Sequence, residues 1–143
     1  MTKGFKEDVE RYGHDPGLRT NVKLKSLLHR YLGLRLENTY GTNLFPFIKQ
    51  GHISARIPAS DLARAAREFA LPQIEIVNPR VVLALGRRTS DVLRHAGAEI
   101  VALPHPAARI SNAAMDEAWE GLSRQLTPLI GLTRCQHIDR IGS

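Results

Sequence analysis

The stretch Val81-Val82-Leu83-Ala84-Leu85-Gly86 indicates the fold class, together with Ile100-Val101-Ala102-Leu103, which runs directly into Pro104-His105-Pro106. Both stretches are short and continuously apolar, as is typical of strands in a parallel sheet that is buried on two faces. Ligands of such sheets bind beyond the carboxyl ends of the strands. We therefore expect His105 at a ligand-binding edge, on a loop stiffened by two prolines. A purely structural histidine is the alternative.

Composition limits the class of protein. The chain has 143 residues, of which 43% are hydrophobic, and this suits a single domain over residues 1–143. Its net charge of +6 fits a polyanionic partner such as nucleic acid, or simple solubility. A cytoplasmic protein with no membrane partner is expected, because no apolar run approaches the ~20 residues of a membrane span. Cys135 is the single cysteine, which excludes an internal disulfide.

The first half of the chain alternates between helical and extended patterns. Residues 1–17 are expected to be irregular or a short helix, ended by a turn at residues 15–17. Leucines and Tyr31 at helical spacing predict a helix over residues 22–34, with Asn21 as its N-cap and Gly33 near its end. Thr, Tyr and Phe side chains predict a strand over residues 39–45, which Pro46 ends.

The second half repeats this alternation. Ser60 is expected to cap a helix that Pro72 kinks or splits, and Gly97 to close a short helix after the Val81 strand. Apolar residues at helical spacing predict a final helix, in which Trp119 is a core residue rather than a base-stacking platform. Residues 131–143 are expected to form a loose tail. This alternation predicts an α/β fold, a three-layer α/β/α arrangement with a short, mainly parallel central sheet. Three strands are fewer than the usual ~4–6, so we expect a strand to be missing or supplied by a partner.

Three strand ends carry the chemistry that the residues permit. They bring Asn43, the Arg87-Arg88 pair and His105 to one edge of the expected sheet. An amide can read the Watson–Crick edge of a pyrimidine, a neutral imidazole can donate to a carbonyl oxygen that gains charge, and arginines can hold phosphates. Asn43 capping its own turn is equally compatible with the sequence. No metal site and no cofactor are expected, because phosphate-loop, dinucleotide, serine-elbow and His-x-x-x-His motifs are absent.

The order of three short motifs resembles the uracil-DNA glycosylase superfamily. These are Thr-Asn-Leu-Phe-Pro-Phe at residues 42–47, a strand ending in Leu-Gly at residues 85–86, and a strand ending in His-Pro at residues 105–106. The resemblance covers roughly residues 15–129. It implies that Asn43 and Phe45 bind the base and that His105 donates to the uracil carbonyl.

The resemblance also implies a DNA-binding surface and two departures from the family pattern. Pro106, Ala107 and Arg109 would press on the DNA backbone, while Arg87 and Arg88 would hold phosphates. Ala107 replaces the serine that is familiar after His-Pro, which removes one hydroxyl contact to phosphate. The chain is expected to begin just after the first motif of the family, which positions the attacking water.

The sequence therefore supports three functions. The first is hydrolysis of the N-glycosidic bond of uracil or a related damaged base in single- or double-stranded DNA, weak or abolished if the first motif is missing. The second is a non-catalytic module that binds DNA at the same basic edge. The third is an unrelated nucleotide-binding α/β protein that receives a phosphate at Gly86. The oligomeric state stays open, although an exposed sheet edge could pair two chains.

Overall fold

A computed structural model describes residues 3–47, 51–52 and 55–130, and it confirms the α/β class. The chain divides into two compact units. The central unit contains residues 40–105, and the terminal unit contains residues 1–39 and 106–143. The single domain over residues 1–143 stays a prediction, and the expected tail at residues 131–143 lies outside the described residues. The elements are α1 (Lys3–Tyr12), α2 (Arg19–Leu27), α3 (Ala59–Ala65), α4 (Leu71–Val77), β1 (Leu83–Leu85), α5 (Arg87–His95), β2 (Val101–Leu103) and α6 (Asn112–Ile130).

The sheet pairs β1 with β2 in parallel, as the two apolar stretches predict. Leu83 lies opposite Val101 and Leu85 opposite Leu103. The Val101 N–H donates to the Val82 carbonyl at 2.9 Å, so the pairing extends beyond the strand as assigned. Ala84 of β1 is buried and belongs to an apolar cluster with Ala66, Ala70 and Leu93. This small core packs on β1.

The prediction of a strand over residues 39–45 is wrong. Leu36–Asn38 form a short 3-10 helix instead, and the segment that follows is irregular. The Thr39 N–H and the Thr39 hydroxyl both donate to the Leu36 carbonyl, at 3.0 and 2.6 Å. These local bonds turn the chain, and Leu44 then packs against the apolar cluster. Within the described residues the sheet therefore has two strands rather than three.

Two prolines and a π-helical turn shape the described helices of the central unit. α3 begins after Pro58 without a side-chain cap, so the predicted Ser60 cap is wrong. A π-helical turn at Ala66–Ala70 separates α3 from α4. Pro72 explains this split, because it has no N–H to offer the Glu68 carbonyl and its ring crowds that carbonyl.

In the terminal unit, α6 packs on a π-helical turn at Leu28–Leu32 that continues α2. The predicted apolar stripe is confirmed, since its members are 0–2% exposed: Met115, Trp119, Leu122 and Leu126. α2 begins at Arg19, earlier than expected, so Asn21 is not its N-cap. The Asn21 amide donates instead to the Asp15 carbonyl at 2.8 Å. Gly33 ends the π-helical turn with a φ of +63°, as predicted. None of the helices in the described ranges is long and apolar enough to cross a membrane.

Candidate active site at the strand ends

The loops after β1 and β2 meet at the carboxyl ends of the two strands. The Gly86 N–H donates to the Leu103 carbonyl at 2.8 Å, which ties the first loop to the end of β2. A Cβ atom built on Gly86 would lie 3.5 Å from the Cβ of His105. The structure therefore brings the exposed His105 against Gly86, at the edge where the sequence predicts a ligand.

The backbone conformation at position 86 requires glycine, whereas the space around it does not. Its φ of +97° and ψ of 146° lie in a region that side-chain-bearing residues rarely adopt. The 3.5 Å separation from His105 is ordinary van der Waals contact, so a methyl group would fit if the backbone could hold that conformation. The conformation turns the chain from β1 directly into α5, whose first residue follows Gly86.

The buried side chain of Ser90 stabilises this turn by hydrogen bonds. It is the one buried polar side chain in the described core, with 2% of its surface exposed. Its hydroxyl lies 2.9 Å from the Gly86 carbonyl and 3.3 Å from the Ala84 carbonyl. The Ser90 N–H also donates to the Gly86 carbonyl, at 3.1 Å. Two donors on one residue thus hold the Gly86 peptide in place.

Arg87 and Arg88 occupy the first turn of α5 but have different surroundings. The Arg87 side chain is 96% exposed, and its Nε lies 3.8 Å from Asp91 Oδ2, an ion pair that contributes little in water. The Arg88 guanidinium donates to the Ile57 carbonyl, which anchors it to the loop before α3. The first turn of α5 carries no acidic residue. Two cations at the positive end of a helix dipole create a local field that favours anions.

Phe45 belongs to a chain of three aromatic rings in the central unit. Its ring centroid lies 5.3 Å from that of Phe47, which in turn lies 4.9 Å from Phe69, both in edge-to-face geometry. The rings border a hollow of about 340 Å³ whose other walls include Asp61, Arg64 and Glu68. Phe45 is half-buried while Phe47 is 50% exposed, so ring surface remains open to a planar ligand.

Asn43 is exposed, immediately before Leu44. Leu44 packs on the apolar cluster that contains Ala84 of β1, so the backbone next to Asn43 is fixed to that cluster. Asn43 lies in an irregular segment, whereas the sequence predicts it at the end of a strand. Its role in base recognition stays a prediction.

Comparison with known proteins decides the family. The family model described as "Uracil DNA glycosylase superfamily" matches residues 13–123, which is most of the chain. The chain belongs to the uracil DNA glycosylase superfamily. Searches of curated proteins and of solved structures returned no match. The predicted resemblance is thereby confirmed, and it supports a glycosylase-like protein with DNA as its general class of partner.

The remaining predicted DNA contacts of this superfamily member lie past the unit boundary, which falls between His105 and Pro106. Pro106 is buried, whereas Ala107 and Arg109 are exposed. The Ser111 hydroxyl accepts from the Ala114 N–H at 3.1 Å and so caps the start of α6 just beyond this loop. Contacts of Pro106, Ala107 and Arg109 with DNA stay predictions.

The side chains at the strand ends of this superfamily member define the hydrogen-bond donors that the site can offer. Among the described residues, no three His, Cys, Asp or Glu side chains are grouped to hold a metal ion. The site offers an imidazole beside a constrained glycine turn, followed by an exposed arginine. Such a group can donate a hydrogen bond to an oxygen that gains negative charge during a reaction.

Sequence reasoning did not identify two residues that shape the site. Ser90 has a local signal, because a serine four residues after a strand-ending glycine can bond back to that carbonyl. The Ile57 carbonyl has none, because it is 31 residues from Arg88 in sequence and its contact is purely tertiary.

Proposed function

We propose that this chain hydrolyses the N-glycosidic bond of uracil, or of a related damaged base, in DNA. The observation that carries the proposal is the proximity of His105 to the Gly86 turn at the carboxyl ends of β1 and β2. Membership of the superfamily supports the same reaction class. The proposal needs no metal or cofactor, since the leaving base can be stabilised by hydrogen bonds alone.

His105 acts on the leaving group. The bond from the base nitrogen to C1′ of the sugar breaks, and its electron pair moves onto the base, largely to a carbonyl oxygen. The His105 imidazole donates an N–H to that oxygen while the charge develops. Water adds its oxygen to C1′, and one of its protons ends on the base or in solvent. Such preorganised donors contribute on the order of 10²–10³ in rate.

Asn43 and Phe45 recognise the base in this proposal. The Asn43 amide has both a donor and an acceptor, which match the alternating N–H and carbonyl groups of a uracil edge. Phe45 offers a ring face for stacking, and its edge-to-face contact with Phe47 limits its movement. Flipped bases are held by this combination of edge hydrogen bonds and aromatic stacking.

The DNA backbone is held by cations beside the site. Arg87, with its nearly free guanidinium, contacts a phosphate, and Arg88 adds positive charge while anchored to Ile57. Ala107 and Arg109, which are exposed on the loop after His105, add further DNA contacts in this proposal, whereas the buried Pro106 acts only by stiffening that loop. A non-catalytic DNA-binding module is the second candidate, favoured by the exposure of Arg87 and by the net charge of +6.

The test is base release from matched oligonucleotides that contain either uracil or thymine at one position, in single- and double-stranded form. We expect release of uracil only, and a fall of about 10²–10³ in single-turnover rate for His105→Ala. His95→Ala is the matched control, because His95 is exposed in the last turn of α5 and lies away from the strand ends. An unchanged rate in His105→Ala would remove His105 from the chemistry. DNA binding with no base release would instead establish the binding module.

A further inference from the structure

A second concave surface lies in the terminal unit, along α2 and the segment that follows it. Its volume is about 220 Å³. Gly33 adopts a left-handed conformation, and the Gly33 and Leu34 N–H groups donate to the His29 and Leu28 carbonyls at 3.0 and 3.2 Å. These bonds reverse the chain, so residues 34–37 line the same hollow as one face of α2. We call it the basic hollow, and its lining residues are Lys25, His29, Leu34, Arg35, Leu36 and Glu37.

The charge of the basic hollow is predominantly positive. Lys25 and Arg35 are both cations at neutral pH. Glu37 is the single carboxylate of the lining, with its Oε2 atom 3.6 Å from Arg35 Nε. The pKa of Glu37 lies below its ordinary value, first because its own backbone N–H bonds to the carboxylate, and further because of the charges of Arg35, Lys25 and His14. Both cations of the lining therefore favour a negative charge at the position of Glu37.

We propose that the basic hollow binds a phosphate group together with the sugar next to it. Lys25 and Arg35 would contact the phosphate oxygens, because ammonium and guanidinium groups are the usual phosphate ligands. The apolar walls from Leu34 and Leu36 suit the carbon face of a sugar. A volume of about 220 Å³ is below the ~300 Å³ of typical small-molecule pockets, so it suits this fragment better than a complete nucleotide.

The proposal goes beyond the strand-end function, since it lies in the other compact unit and requires no base release. The phosphate could belong to a nucleic-acid strand or to a free nucleotide. Both sources present the same chemistry to Lys25 and Arg35, and separate arms of one experiment distinguish them. A uracil-free strand is used throughout, so failure of the glycosylase proposal would leave this result unaffected.

The experiment measures binding of a fluorescent thymidine oligonucleotide by anisotropy over a range of salt concentrations. Lys25→Gln should weaken binding about tenfold and lower the salt slope by about 0.7, the contribution of one phosphate contact on a single strand. Glu37→Gln should strengthen binding several-fold, because it removes the carboxylate that competes for Arg35. Opposite effects from neighbouring residues cannot arise from a general loss of folding.

Lys23→Gln is the matched control, because it removes the same charge from the same helix outside the hollow. Competition by thymidine monophosphate and by inorganic phosphate forms the second arm. If these small anions bind with the same variant pattern, the source is free phosphate, whereas binding of the strand alone assigns a phosphodiester. Equal losses in Lys23→Gln and Lys25→Gln, or no binding of any of the three probes, would overturn the proposal.

Discussion

The strand ends of the central unit and the basic hollow of the terminal unit are built on different physical principles. At the strand ends, the backbone of Gly86 is fixed by its glycine conformation and by three hydrogen bonds, two of them from Ser90, and His105 lies close to it. In the basic hollow, charges line an open space, and their positions depend on long side chains, of which Arg35 is exposed and Lys25 half-buried. The first arrangement suits a reaction that needs a donor at one point, and the second suits binding of an anion with loose geometry.

Gly86→Ala should produce the largest effect among changes that leave every charge intact. Alanine at a φ of +97° is strained by roughly 1–3 kcal/mol, and the turn that holds His105 must shift. We expect a loss of about 10²-fold in uracil release, the scale of a 1 Å misplacement. Single-turnover kinetics and chemical denaturation measure the two effects.

Gly121→Ala is the control for that change. Gly121 lies within α6 and has open space around a built Cβ, so alanine should raise the unfolding free energy by about 0.5–1 kcal/mol. A similar response of both variants would contradict the role given to the Gly86 backbone.

Ser90→Ala should weaken the same geometry without touching the ligand edge. The substitution removes the buried Ser90 hydroxyl, so the Ala84 and Gly86 carbonyls have one donor fewer between them. We expect a loss of about 1–3 kcal/mol of unfolding free energy. Uracil release should fall less than in Gly86→Ala, while DNA affinity stays the same. Ser26→Ala, an exposed serine on α2, should change neither quantity, and thermal melts with the release assay test both.

Arg87→Gln should act through charge alone. We expect weaker DNA binding, a salt slope smaller by about one, and an unchanged release rate at saturating DNA. Arg88→Gln should in addition lower stability, because the Ile57 carbonyl loses its donor. Salt-dependent anisotropy measures the first effect and denaturation the second. A slower release rate for Arg87→Gln at saturating DNA would contradict a role of Arg87 in binding alone.

Tyr31→Phe should give the smallest effect, a loss of about 0.5–1.5 kcal/mol of unfolding free energy. The Tyr31 hydroxyl donates to Asp116 Oδ1 at 2.7 Å, and this bond, more than burial, raises the pKa of Tyr31 above its ordinary 10.0. A raised pKa in the folded state stabilises the protein below pH ~10, and that contribution is lost as the pH rises through the folded value.

The measurement is urea unfolding of both proteins between about pH 8 and pH 11. The gap between wild type and Tyr31→Phe should narrow as the pH rises. Affinity for the thymidine oligonucleotide should stay unchanged at neutral pH, because Tyr31 does not line the basic hollow. A constant gap would mean that the hydroxyl contributes nothing through its proton.

Sequence patterns correctly predicted the elements whose formation depends on residues close together in the sequence. Continuous apolar runs identified β1 and β2, and helical spacing identified the buried stripe of α6 around Trp119. The segment over residues 39–45 has strand-forming side chains, but Thr39 bonds back to the Leu36 carbonyl and turns the chain. Aromatic and β-branched composition could not reveal that competition, because strand preference depends on available partners.

The site shows the same division. His105 was predictable because a proline-flanked histidine follows an apolar strand, and Arg87 because it begins the helix after Gly86. The anchoring of Arg88 at Ile57 and the packing of Phe47 on Phe69 join residues more than 20 positions apart. Spacing within one segment carries no information on such tertiary contacts.

The central claim is that the Gly86 turn and His105 act as one unit, and a double-mutant cycle on uracil release tests it most directly. Single-turnover rates would be compared for wild type, Gly86→Ala, His105→Ala and the combined variant. If Gly86 acts by placing His105, the combined variant should be no slower than His105→Ala alone, about 10²–10³ below wild type. Losses that multiply to about 10⁴–10⁵ would show two independent contributions and contradict the claim.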